Sequence, residues 1–167
     1  QMNYDEQYFF LIKDLSKKAI NRFYDGKYWY LSDDGLKVHA DMQDKYYSAP
    51  VNKMLLSLLK LASLSGEREY LEFVQKSIKS KSAVLYKNHS WYASAMKVVL
   101  AETLGYVTLK AATANLKKHK KDIDHIKYSF VLSKPDEKID GYLACDMSQC
   151  FVTNKDIKKV ITEIEKR

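Results

Sequence analysis

The sequence predicts an α+β, mainly helical fold: about four helices, then a small α/β subdomain with a short sheet and two helices. Two observations carry this. Up to Gly105 the apolar residues recur at helical spacing, and beyond it they fall into short β-type runs. The composition, 46% apolar and 29% charged, is that of a folded globular chain of 167 residues, which can bury a core without a staple. The change of pattern places a boundary near residue 105, dividing 1–105 from 106–167.

The first helix is expected from residue 5 to about 23, with Phe9, Ile12, Leu15, Ala19 and Phe23 on one amphipathic face. Pro50 opens the second, because the N–H that proline lacks would be unpaired in a first turn anyway. Val51, Met54, Leu55, Leu58, Leu59 and Ala62 follow at helical period, and Ser65-Gly66 ends the run. A third helix starts near Glu67 and carries Tyr70, Leu71, Val74 and Ile78. A fourth starts near Ser90, carries Trp91, Ala95, Val98 and Val99, and stops at Gly105.

The segment between the first two helices turns at Asp25-Gly26 and again at Asp34-Gly35, with strand-like content from Lys27 to Leu31. After Gly105, Tyr106–Leu109 reads as a strand, Thr113 to about Ile126 as a helix, and Lys127–Leu132 as a strand ended by Pro135. Tyr142–Cys145 and Phe151-Val152 form a hairpin, and Lys155–Lys166 a last helix with Asn154 as N-cap.

The net charge of +7 invites a nucleic-acid reading, but its distribution argues against one. Residues 1–105 hold 15 basic and 12 acidic side chains, and residues 106–167 hold 13 and 9, so the excess is spread as +3 and +4. The one basic cluster, Lys117-Lys118-His119-Lys120-Lys121, is followed by Asp122 and Asp124 and suits a solvated helix face. No apolar run is long enough to span a membrane, and the start of the chain lacks the basic and apolar stretches of a signal peptide. Two cysteines without a secretory context suggest a reducing, cytoplasmic setting.

Asp25, Asp33, Asp34, Asp41 and Asp44 crowd one region with Tyr28, Trp29, Tyr30 and His39. Sugar-handling sites need this mixture, aromatics to stack on pyranose rings and carboxylates to bind hydroxyls or act as acid and base. Candidate catalytic groups are Asp34, His39 and Asp41, and candidate ligand-binding residues are Tyr28, Trp29, Tyr30, Asp33, Asp44 and Asn52. The alternative is that Asp25 and Asp34 are turn residues ahead of glycine while the aromatics pack on the helices. Cys145 and Cys150 admit three readings: reduced and packed, a redox-active pair bonded across the hairpin, or half of a metal site. The expected order is as given, and neither a metal nor a cofactor is called for.

The stretch Gly141-Tyr-Leu-Ala-Cys145-Asp-Met-Ser-Gln-Cys150-Phe-Val-Thr-Asn154 resembles the end of the spermatogenesis-associated protein 20-like family of thioredoxin-domain-containing proteins. Thr153-Asn154 and Ile157 fit that family's entry to the last helix. Asp25-Gly-Lys-Tyr-Trp-Tyr30 looks like its glycine-aromatic segment, and Asp44 to Asn52, with Leu55, Leu58, Leu61 and Gly66, like its asparagine-containing helix start and leucine-rich helix. One departure is Ala49-Pro50, which stands where the family has proline then serine.

The resemblance implies a C-terminal fragment of a longer cytoplasmic protein. Its missing parts would be a thioredoxin-like domain, to which no Cys-x-x-Cys here corresponds, and the rest of a six-hairpin, glycosidase-like toroid. The parent is then expected to bind or process a carbohydrate or small metabolite at the toroid mouth, with the isolated fragment inactive. A non-catalytic interaction module docking the thioredoxin-like domain or a partner is the alternative, and a thiol-disulfide role for Cys145 and Cys150 a third. A helix as broadly apolar as Val51–Leu64 wants neighbours on more than one side, so exposed helix faces and self-association are expected of the fragment.

Overall fold

The computed structural model describes residues 6–167 and is an α+β, mainly helical fold with seven α-helices and one four-stranded sheet among them. The chain divides into two compact units, one holding residues 6–62 and 67–103, the other Ser63–Gly66 and Leu104–Arg167.

The first unit contains α1 (Glu6–Phe23), most of α2 (Pro50–Ser65), α3 (Arg68–Lys87), a 3₁₀ turn at His89–Trp91 and α4 (Ala93–Leu104). Pro50 is the first residue of α2, as its missing N–H favours. Four leucines of α2, Leu55, Leu58, Leu59 and Leu61, are enclosed, together with Val51, Asn52 and Ala62. Tyr70 and Val74 of α3, Ala95, Val98 and Ala101 of α4, and Trp29 and Met42 of the intervening loop are also buried. The fourth helix begins later than the sequence suggests. Ser90 and Trp91 form the 3₁₀ turn, and Trp91 is exposed rather than core.

The α1 face departs further from expectation. Ser16 and Ile20 are buried and Lys13 half-buried, whereas Ile12 and Leu15, expected on the covered face, lie open together with Tyr8 and Leu11. At 100° per residue, Tyr8, Leu11, Ile12 and Leu15 form one stripe, displaced by about a third of a turn from the buried one. The apolar arc of α1 is therefore roughly twice as wide as its covered part.

The second unit is built on a sheet of order β2-β1-β3-β4, from β1 (Val107–Ala111), β2 (Val131–Pro135), β3 (Tyr142–Cys145) and β4 (Cys150–Asn154). β1 runs parallel to β2 and antiparallel to β3, and β3 and β4 form a hairpin. Two short helices, α5 (Thr113–Lys118) and α6 (Lys120–Asp124), lie in the β1–β2 crossover, and α7 (Ile157–Glu165) follows β4. Val107, Leu109 and Ala111, alternate residues of one sheet face, share a core with Leu116, Tyr142, Ala144, Ile157, Val160 and Ile164.

Three sequence readings are corrected in this unit. The single helix expected over Thr113–Ile126 is two short helices that part at His119; lysines three and four apart from Lys117 to Lys121 oppose a continuous helix. The second strand begins at Val131, not Lys127, because the residues before it anchor the chain. The Tyr128 hydroxyl donates to the carbonyls of Leu104 and Gly105 (2.7 and 2.8 Å), and Phe130 is buried edge-on against Tyr106. Pro135 closes β2 on the edge of the sheet, where a missing N–H costs least. Finally, the N-cap of α7 is Asp156, whose carboxylate accepts the Lys158 N–H (3.0 Å), while Asn154 accepts the N–H of Asp156 (2.9 Å) one step earlier.

Candidate functional site

The Tyr24–Ala49 segment lies wholly in the first unit and is held by turns rather than by a strand. The expected strand over Lys27–Leu31 is replaced by two isolated bridges, Tyr24 with Trp29 and Tyr30 with His39. Asp25 builds the first turn: its carboxylate accepts the N–H groups of Lys27 and Tyr28 (2.9 and 2.6 Å) and the Tyr30 hydroxyl (2.6 Å). The Tyr28 N–H, then the Tyr30 hydroxyl and the Lys27 N–H, hold this carboxyl at a pKa of about 2.

Most of the candidate residues are occupied in the same way. Asp33 pairs with Arg22, whose hydrogen bond lowers the carboxyl's pKa. Asp34 accepts from the Ser32 hydroxyl (2.8 Å) and Asp41 from the Gln43 N–H (3.0 Å), each within its own turn. Trp29 is buried and donates its indole N–H to the Ser77 hydroxyl (2.9 Å). Beside it, the exposed His39 is stacked on the half-buried Tyr28 at 4.5 Å between ring centres and lies 5.4 Å from the half-buried Tyr30. Lys27 sits over the Tyr28 ring and Lys37 over that of Tyr30.

Asp44 and Asn52 belong to one network centred on Ser94. The Asp44 carboxylate accepts the Ser94 N–H (2.7 Å), the Ser94 hydroxyl (2.6 Å) and the Ala49 N–H (2.9 Å). Burial pushes this carboxyl up, but the bonds from Ser94 and Ala49 outweigh it and leave its pKa lowered. Asn52 is buried and donates to the Met42 carbonyl (2.8 Å) and to the Ser94 hydroxyl (2.7 Å). The arrangement fixes the entry to α2 and leaves Asn52 no exposed face for a ligand.

Two depressions flank the segment. One is an apolar groove of about 250 Å³ between Ala19 and Phe23 of α1, the Trp29–Leu31 stretch, and Pro50, Val51 and Met54 of α2. The other, about 540 Å³ and open, is bordered by Asp44, Tyr46, Ser90 and Trp91. Asp34, His39 and Asp41 line neither of them.

In the second unit, Cys145 and Cys150 are joined by a disulfide, so the reduced reading does not describe this structure. The two are direct cross-strand partners, with an irregular register beside Ala144 that makes room for Phe151. Among the described residues no group of three or more His, Cys, Asp and Glu side chains is placed to hold a metal ion. The turn between the cysteines is organised by Asp146. Its carboxylate accepts from the Ser148 N–H and hydroxyl and the Gln149 N–H (2.8, 2.7 and 2.8 Å), and from Arg167 (2.7 Å).

Burial pushes the Asp146 carboxyl up, but the bonds from Ser148, Gln149 and Arg167 outweigh it and hold its pKa at about 2. Because the folded value lies below the unfolded one, near 4, the stabilisation is complete above that pH and is lost as pH falls towards 2. The difference corresponds to about 2 kcal/mol. Urea unfolding followed between pH 5 and 2 should show this loss, and Asp146→Asn should flatten that part of the profile.

The sequence did not single out Arg22, Ser77 or Ser94, each of which completes a network with a predicted residue 11 to 50 positions away, nor the pair of Asp146 and Arg167 that closes the turn between the cysteines. No family model, curated protein or solved structure matches the chain.

Proposed function

We propose that the chain is the C-terminal part of a thioredoxin-domain-containing protein of the spermatogenesis-associated protein 20-like kind. In this reading it is a non-catalytic interaction module. Its helical unit docks a further amphipathic helical hairpin of the parent chain, as a segment of an α/α toroid would. The observation that supports this is the solvent-facing stripe of α1, in which Tyr8, Leu11, Ile12 and Leu15 are each 48–55% exposed. A stripe of that spacing suits an apolar helix laid alongside it. Burying the open half of each side chain would contribute roughly 1 kcal/mol per residue.

Sugar or metabolite turnover by the Tyr28–Asp44 region has less behind it. Asp25, Asp33 and Asp44 are engaged in holding the loop, and Trp29 is inside it. The test uses the upstream coding region, co-expressed with this chain. Wild-type chain should co-purify with it, and Leu11→Lys/Leu15→Lys should weaken that association at least tenfold with an unchanged circular-dichroism spectrum. By itself the chain should self-associate in sedimentation velocity, and the same pair of changes should make it monomeric. A wild-type chain that stays monomeric and does not retain the upstream region would sink this reading.

A further inference from the structure

The disulfide has two features that a purely structural staple does not need. The first is that its hairpin turn is closed without it. Asp146 donates its N–H to the Gln149 carbonyl (2.8 Å), and its carboxylate collects Ser148, Gln149 and Arg167. The Arg167 guanidinium also lies over the Phe151 ring, 3.8 Å from its centre. None of these bonds involves a sulfur atom. Breaking the S–S bond therefore leaves the two strands in register and the two thiols facing each other.

The second feature is asymmetry. Cys145 is buried, at 5% exposure, while Cys150 is exposed. Thiol–disulfide exchange proceeds by attack of an external thiolate on one sulfur, and access decides which one. Here that is the Cys150 sulfur.

We infer that Cys145 and Cys150 form a reversible dithiol–disulfide couple, opened and closed by exchange with an external dithiol at Cys150. One thiolate of the dithiol attacks Cys150 Sγ. The S–S bond breaks, and its electron pair leaves with Cys145 Sγ, which takes up a proton. The reductant's second thiol, as thiolate, then attacks its own sulfur in the mixed disulfide and releases Cys150 as a thiol once protonated. The protein gains two electrons and two protons, and the reductant becomes a disulfide. Because the Asp146 turn holds the thiols together in the reduced form, an oxidised dithiol can reverse the sequence.

The experiment titrates the native chain with mixtures of reduced and oxidised dithiothreitol, quenches the exchange with acid, then alkylates with N-ethylmaleimide in neutral denaturant before intact mass measurement. Two labels should appear together and disappear on reoxidation, with an unchanged circular-dichroism spectrum. In parallel, Cys145→Ser and Cys150→Ser are reacted with an aromatic disulfide reagent that reports a released thiolate by absorbance. The exposed thiol left in Cys145→Ser should react at least tenfold faster than the buried one left in Cys150→Ser. A disulfide that dithiothreitol opens only after the chain is denatured, reduction that unfolds the chain, or equal reactivity of the two variants would overturn the inference.

Discussion

Gly141→Ala should lower the stability of the second unit by about 3 kcal/mol or more, the largest loss expected from a Gly→Ala change in this chain. Gly141 has φ +103° and precedes β3 at the point where the chain returns against the end of β4. A Cβ built on it would stand 2.8 Å from the Asn154 carbonyl oxygen and 3.0 Å from Lys155 Cα. Both are backbone atoms, so no side chain can swing aside to relieve the contact. Either the hairpin or the Asn154-Lys155 link into α7 must shift, and Ile157, Val160 and Ile164 of that helix are buried in the core. Gly105→Ala is the control. Gly105 also has positive φ, +78°, but nothing lies within 4 Å of its added Cβ, so only the conformational term of about 1 kcal/mol applies. Urea unfolding of the two variants should separate strain from collision. Equal losses would mean that the close approach at Gly141 is relieved without cost.

Local signals were legible in the sequence, and long-range ones were not. Pro50 and Gly105 mark helix ends through chemistry contained in the residue itself, and both mark them in the structure. The α1 face shows the limit. Its apolar residues occupy nearly half the helix circumference, and periodicity reports the width of that arc without saying which part meets a neighbour. Periodicity thus places Ile12 and Leu15 inside, while Ser16, which no hydrophobic pattern would select, is buried. The aromatic-acidic loop fails for a related reason. A carboxylate that binds a sugar hydroxyl and one that closes a turn occur in the same kind of sequence, Asp before glycine or among tyrosines. What tells them apart is the partner, and Ser94 lies 50 residues from Asp44.

That pairing makes Asp44→Ala the second large expected effect, a loss of about 3 kcal/mol from the first unit. The substitution removes three hydrogen bonds to one carboxylate and strands the N–H groups of Ser94 and Ala49 in a part-buried site. It also releases the Ser94 hydroxyl, the group to which Asn52 donates from the buried start of α2. Bonds to a charged acceptor are worth more than neutral ones, so Asp44→Asn, which keeps one acceptor oxygen, should lose about half as much. Ser94→Ala should be non-additive with Asp44→Ala by about 1 kcal/mol, since the bond from the Ser94 hydroxyl to the carboxylate is lost in either change and can be lost only once. Chemical denaturation of the four species decides the role of the residue. A stability loss with that coupling assigns Asp44 to holding the loop on α2 and α4. An Asp44→Ala chain as stable as wild type would return the carboxylate to the set of groups free to bind a ligand.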